Sequence, residues 1–157
     1  GARRIWSNLE RVVADGSDEN ARWEMMMGSL EGGMTFQKGL GAVHGLSHAL
    51  GGLSGFHLHH GMLNAIFLPK VMEFNADHVG DKMAVLGGIF GCSSANVAKR
   101  LADLNERIGL PNSIAHLNIP PEFDGEIAER AMADHSTATN PRPMSVQLYR
   151  QLLQQSR

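Results

Sequence analysis

His44 and His48 stand four residues apart, and His60 opens the next apolar segment, inside the run GAVHGLSHALGGLSGFHLHHGMLNAIFLPKVMEFN that spans Gly41–Asn75. Five of the eight histidines of the chain fall between positions 44 and 60. On a helix, residues i and i+4 share one face with side chains about 5–6 Å apart. Neutral imidazole is the commonest side-chain ligand of Zn(II) and also suits Fe(II). His44 on one helix and His60 at the start of the next can therefore offer two nitrogens to one divalent ion, with His48 as a spare imidazole beside them. Glycines at 45, 51, 52, 55 and 61 let backbone and substrate approach closely. A catalytic metal needs at least one further protein ligand, typically a carboxylate, and an open position. The nearest acids, Glu31, Glu73 and Asp77, belong to no evident ligand motif. Taken without its surroundings, the His44/His48 pair is better served by a plainer role, two helix histidines hydrogen-bonded in a polar cleft. For His57 and His59 a solvated loop is the expectation, for His78, His116 and His135 the surface or an ordinary core position. Asp134-His135 makes only a weak case for a second metal site.

The elements that must position these residues are helical nearly throughout. Ile5, Leu9, Val12 and Val13 make one apolar stripe; Trp23, Met26, Met27, Leu30 and Met34 make a second, with Ser17 or Asp18 as its N-cap. Val43–Gly51 carries His44 and His48. Met62–Phe74 forms the next helix, in which Pro69 is expected to cause a kink or a split. Asp77–Phe90 is a fifth helix. Ser93 or Ser94 caps a sixth, with Val97, Leu101, Leu104 and Ile108 on one side and Gly109 as its stop. Glu126–Ala133 and Ser145–Gln155 close the chain. Residues 111–124 and 136–143 read as the two long loops. No alternating strand segment is present, so the expectation is an all-α fold of about eight helices by stripe counting.

A chain of 157 residues suits one domain with a substantial core. Its net charge of −2 gives no electrostatic case for nucleic acid or an anionic membrane. The longest apolar stretch, around Met83–Cys92, is too short to span a bilayer. Cys92, the single cysteine, excludes an internal disulfide and suits a reducing compartment, so a cytoplasmic protein is expected; the thiol itself reads as buried and inert. The nine methionines read mainly as flexible core packing, with some free to face a further domain. The chain opens on Gly1, directly into a helix pattern, which suggests a piece of a longer protein.

The pattern G-x-V-H-x-x-x-H-x-L-G-G over Gly41–Gly52, followed by H-G-x-x-N-A-I-x-L-P-x-V-x-x-F-N over His60–Asn75, resembles the iron-containing (group III) alcohol dehydrogenases. The second block matches without a gap, and the ending Thr139-Asn140-Pro141-Arg142-Pro143 is similar as well. The resemblance implies that residues 1–157 are the helical C-terminal, metal-binding domain of the two-domain plan shared with dehydroquinate synthase. An N-terminal α/β dinucleotide-binding domain would be absent from this chain, which indeed carries no glycine-rich phosphate loop after a strand. The family holds Fe(II), or Zn(II), on one aspartate and three histidines. The aspartate and first histidine belong to a D-x-x-x-H element lying ahead of these residues. By motif register His44 is the second histidine ligand and His60 the third. His48 matches a histidine that stands beside the nicotinamide and substrate and binds no metal, giving it the catalytic and cofactor-binding roles. The interval from His44 to His60 is two residues longer than the family pattern, and the extra residues bring in His57 and His59. His59 is therefore the alternative third ligand.

The implied activity is hydride transfer between a small alcohol or aldehyde and NAD or NADP, in a homodimer or larger assembly. With two of four ligands and no cofactor domain, the chain alone is expected to bind metal poorly and not to turn over. Within the same fold, a glycerol dehydrogenase, a maleylacetate reductase or a dehydroquinate synthase remains an alternative; the intact Asn64-Ala65-Ile66-x-Leu68-Pro69 segment favours the simple alcohol branch. A non-enzymatic helical metal-binding module is the remaining alternative, and it requires a complete ligand set within these residues.

Overall fold

The computed structural model describes residues 1–157 and contains eight α-helices joined by short 3-10 turns, with no strand. The helices are α1 (Ala2–Ala14), α2 (Glu19–Gly33), α3 (Ala42–Gly51), α4 (His60–Asn75), α5 (Lys82–Phe90), α6 (Val97–Arg107), α7 (Asp124–Ala133) and α8 (Val146–Gln155). Two starts carry side-chain caps: Asp18, as the sequence predicts, and Ser145, which it does not single out. The cap expected from Ser93 or Ser94 is not made, since α6 starts after Asn96 without a side-chain cap. The Asp18 carboxylate accepts from the Ala21 N–H at 2.9 Å, and the Ser145 hydroxyl accepts from the Leu148 N–H at 3.2 Å. Each satisfies one of the amides that a helix N-terminus leaves without a partner.

The main core lies among α3, α4, α7 and α8. Leu46, Leu50, Leu63, Phe67, Ile127, Tyr149 and Leu153 are all completely buried there. Full burial of each such side chain contributes roughly 1.5–3 kcal/mol, before the entropy of ordering it is subtracted. Segment 111–124 is less of a loop than its composition suggests. It holds two 3-10 turns, Ala115–Leu117 and Pro121–Phe123, and sends Ile114 and Ile119 into this core. A smaller cluster of Met83, Phe90 and Val97, packed against Trp6, ties α5 and α6 to the α1–α2 hairpin.

Pro69 does not split its helix: α4 runs unbroken from His60 to Asn75. The proline lacks the N–H that would reach the carbonyl four residues back, that of Ala65. Asn105 of α6 supplies the missing donor, its Nδ2 lying 2.8 Å from the Ala65 oxygen. The fifth helix begins later than its apolar pattern predicts, because a 3-10 turn at Ala76–His78 precedes Lys82. Cys92 is half-exposed rather than buried. Only part of the methionine set packs inside. Trp23, Met26, Leu30 and Met34, which share one face of α2, are exposed.

Three features fix α3, which carries the two helical histidines. Gly41 precedes its first turn with φ +76, a conformation that favours glycine, and donates its N–H to the Ser136 carbonyl at 3.0 Å. Gly45 lets the helix close on α8. A Cβ there would lie 2.7 Å from the Tyr149 hydroxyl, which itself bonds the Thr137 hydroxyl at 2.6 Å. Asn140 joins the start of α3 to the end of α4. Its Oδ1 accepts from the Ala42 N–H at 3.1 Å and from Asn75 Nδ2 at 3.0 Å, while its Nδ2 donates to Asn75 Oδ1 at 2.9 Å and the Arg142 carbonyl at 2.7 Å. The turn ahead of the last helix thus doubles as a clamp across two helices.

Candidate active site

His44, His48 and His60 come together, although 16 residues separate the first from the last. Their ring centroids lie 5.5 Å (His44–His48), 5.3 Å (His44–His60) and 5.3 Å (His48–His60) apart. The packing of α3 on α4 creates this triangle, with His44 and His48 one turn apart on α3 and His60 at the first position of α4.

The nitrogens have different partners. Nε2 of His44 and Nε2 of His60 both face the Asn64 side chain, at 3.4 and 3.0 Å from its Nδ2. Asn64 follows His60 by one helical turn and so lies on the same face. With the amide donating, both Nε2 lone pairs point at Asn64 Nδ2, so a metal ion held by the two rings has to take the place of that amide nitrogen. His44 Nδ1 is buried and has no protein partner. Burial first, then repulsion from His48 and His60, holds the His44 imidazole below its ordinary pKa, against an opposing pull from Asp134. His44 is therefore neutral near pH 7, the state in which imidazole binds metals.

His48 is held otherwise. Its Nδ1 lies 3.0 Å from Asp134 Oδ2, and its ring is nearly parallel to those of His60 and His135. Asp134 follows α7 and caps the 3-10 turn His135–Thr139, its Oδ1 accepting from the Ser136 N–H at 2.8 Å. Burial pushes the Asp134 carboxyl up, but Ser136 and His48 together outweigh it, leaving the group below the usual carboxylate range.

Asn64 and Asp134 are the residues that sequence reasoning missed in these roles. Asn64 was legible as a same-face neighbour of His60. Asp134 was not, because its contact with His48 crosses 86 residues. The Asp134-His135 pair makes no second metal site. Asp134 is turned to His48, and the His135 side chain is 83% exposed. His59 also points elsewhere, its Nδ1 accepting from the Met62 N–H at 3.4 Å on the first turn of α4. The acids nearest in sequence do not join the cluster: Glu31 pairs with Arg4, and Glu73 lines a groove beside α6. No group of three histidine, cysteine or carboxylate side chains is placed to enclose a metal ion. His44 and His60 thus fit a divalent metal by donor type and convergence, as part of a ligand set that this chain does not complete.

Comparison with known proteins gives the family of the chain. Residues 2–157 match the Fe-containing alcohol dehydrogenase family, C-terminal. Among curated relatives, 4-hydroxybutyrate dehydrogenase of Cupriavidus necator is 40% identical over 99% of this chain but only 43% of its own length. The crystal structure of a 1,3-propanediol oxidoreductase superposes with a TM-score of 0.91 at 31% identity, covering 99% of this chain and 43% of that one. Maleylacetate reductase from Rhizobium sp. strain MTP-10005 superposes with a TM-score of 0.83 at 29% identity, with the same two coverages. The chain therefore spans less than half the length of these relatives. No helix is long and apolar enough to cross a membrane. The chain belongs to the iron-containing alcohol dehydrogenase family and is its helical C-terminal domain.

Proposed function

We propose that the protein containing this chain is a metal-dependent, NAD(P)-linked alcohol dehydrogenase that interconverts a small primary alcohol and its aldehyde. The observation that carries the reading is the convergence of His44 Nε2 and His60 Nε2 beside a third imidazole bound by a carboxylate. His44 and His60 would hold Fe(II) or Zn(II) jointly with an aspartate and a histidine from the rest of the protein. A divalent ion there supplies Lewis acidity, which lowers the pKa of an alcohol hydroxyl. An N-terminal α/β domain would hold NAD or NADP, which would supply the hydride-transfer chemistry.

The work of this chain is positional. Asn64 turns the Nε2 atoms of His44 and His60 toward one region, which its amide would yield to the metal. Burial keeps His44 neutral, so no proton has to leave before it can act as a ligand. His48 stands within the same cluster but spends Nδ1 on Asp134, which suits it to carry the hydroxyl proton toward solvent rather than to ligate. A cytoplasmic homodimer or larger assembly completes the proposal. The relative named above for 4-hydroxybutyrate extends the candidate substrates to short hydroxy acids. The second reading, a maleylacetate reductase, is kept because that enzyme also superposes, with a TM-score of 0.83 against 0.91 for the 1,3-propanediol oxidoreductase.

The test uses the full-length gene product, purified without oxygen and reloaded with Fe(II) or Zn(II). Nicotinamide reduction is followed with short primary alcohols and 4-hydroxybutyrate, and nicotinamide oxidation with maleylacetate. Metal-dependent alcohol turnover that disappears in His60→Ala supports the proposal. Turnover that survives His60→Ala removes His60 from the ligand set. Activity with maleylacetate alone moves the protein to the second reading.

A further inference from the structure

We infer that Asp134 is a positioning residue that fixes His48 in the Nδ1–H tautomer and so leaves the His48 Nε2 lone pair free to take a proton. The inference rests on the proton-handling role proposed for His48, and it names the residue on which that role depends.

The geometry assigns each carboxylate oxygen of Asp134 a separate task. Oδ1 accepts from the Ser136 N–H at 2.8 Å, and Oδ2 faces His48 Nδ1 at 3.0 Å. An ionised carboxylate only accepts hydrogen bonds, so the hydrogen of this contact must sit on His48 Nδ1. A neutral imidazole with its hydrogen on Nδ1 has its free lone pair on Nε2. The carboxylate is ionised at neutral pH, because its net shift is downward.

The surroundings hold the carboxylate still. The Asp134 side chain is 16% exposed, and the 3-10 turn it caps is fastened from both ends. The Ser136 carbonyl accepts from the Gly41 N–H at 3.0 Å, which ties the turn to the start of α3. The Thr137 hydroxyl donates to the Ala131 carbonyl at 2.6 Å, which ties it to α7. Asp134 and the helix that carries His48 are thus parts of one braced unit. Nearly parallel ring contacts with His60 and His135 restrict His48 further.

This arrangement makes the isosteric variant Asp134→Asn informative. The Ser136 N–H still requires an acceptor, so the amide oxygen occupies the Oδ1 position. The amide nitrogen then falls opposite His48 Nδ1 and donates to it. His48 is driven to the Nε2–H tautomer, and the lone pair that receives the proton is lost. The fold keeps its cap, so the variant changes a hydrogen position rather than a shape.

The test uses the full-length enzyme loaded with Zn(II) and carrying 15N-labelled histidine. Long-range 1H–15N correlation spectra at about pH 8, above the ordinary histidine pKa, report which ring nitrogen of His48 is protonated, with His48→Ala identifying the signals. The wild type is expected to show a protonated Nδ1, and Asp134→Asn a protonated Nε2. Alongside the reversal, kcat is expected to fall on the order of 10²–10⁴-fold, the range of a lost general base or a wrong tautomer. KM and bound zinc stay unchanged. Asp134→Ala, which imposes neither tautomer, should show a mixed signal and an intermediate kcat. The same tautomer in wild type and Asp134→Asn, or an undiminished kcat in the latter, overturns the inference. If instead His48→Ala turns over at the wild-type rate, the proton role of His48 falls, and with it any part of Asp134 in catalysis; the spectra still decide whether Asp134 sets the tautomer.

Discussion

Replacing Asn105 with alanine should expose how a helix with an internal proline stays whole. Asn105 is 7% exposed, and its Nδ2 serves both the Ala65 carbonyl at 2.8 Å and Asn112 Oδ1 at 3.0 Å. Asn105→Ala leaves the Ala65 oxygen without a donor, because Pro69 has none to give. An unpaired buried acceptor costs about 1–3 kcal/mol. The half-exposed Asn112 can recover part of its loss from water, so the expected destabilisation is about 2 kcal/mol. In a domain of this size that corresponds to a fall in Tm of roughly 4–8 °C. The reasoning can be isolated by a double-mutant cycle. Pro69→Ala restores an N–H four residues after Ala65, so Asn105→Ala should cost at least about 1 kcal/mol less in that background. Urea unfolding of the four proteins, fitted with a common m-value, measures the difference. Equal costs in both backgrounds, within the roughly 0.3–0.5 kcal/mol expected of independent sites, would show that Asn105 stabilises through something other than the carbonyl freed by Pro69.

Four further outcomes are expected. Asn140→Ala removes every partner from the side-chain amide of the nearly buried Asn75 and should destabilise by about 2–4 kcal/mol in the same urea assay. Gly45→Ala places a methyl 2.7 Å from the Tyr149 hydroxyl and should cost about 1–3 kcal/mol, with Tyr149→Phe partly relieving it. Because the folded pKa of Asp134 is depressed, its contribution to stability is complete above the ordinary carboxylate range and is lost as pH falls through the folded value; Asp134→Asn should flatten that acid arm in thermal unfolding scans below pH 5. In equilibrium dialysis of the chain alone, weak Zn(II) binding should disappear in His60→Ala and persist in His59→Ala, since only His60 directs Nε2 toward the region faced by His44.

The helical framework was legible where apolar spacing repeats locally, although α5 starts later than its pattern and α6 lacks its expected serine cap. Asp18 and Ser145 mark starts by side-chain chemistry, and the stripe from Val97 to Leu104 repeats at helical spacing on α6. The histidines were legible for the same reason, through an i, i+4 pair and a strong block beginning at His60. What was hidden is what depends on pairings across the chain. Nothing near Pro69 says that Asn105 will supply its missing hydrogen bond, 36 residues on. The Thr139–Pro143 ending reads as a turn, and only the fold shows Asn140 clamping α3 to α4. A half-buried Cys92 and an exposed α2 face were likewise beyond a stripe count, since apolar spacing identifies a face without saying what covers it.

The same distinction explains why the site is divided as it is. His44 and His60 are brought together by the packing of α3 on α4, which the Asn140 clamp holds directly, while Gly45 seats α3 against α8 and Asn105 ties α4 to α6 one residue beyond Asn64. Two nitrogens fixed to this degree form a preorganised half-site, so further ligands meeting it find the entropy of orienting these two already spent in folding. Asp134 belongs to a different mechanical unit, the braced turn after α7, and reaches the cluster only through His48. On the proposed reading, ligand geometry and proton handling are set by separate contacts. Changes at Asn64 should act first on metal affinity, whereas changes at Asp134 should act on turnover while leaving the metal in place.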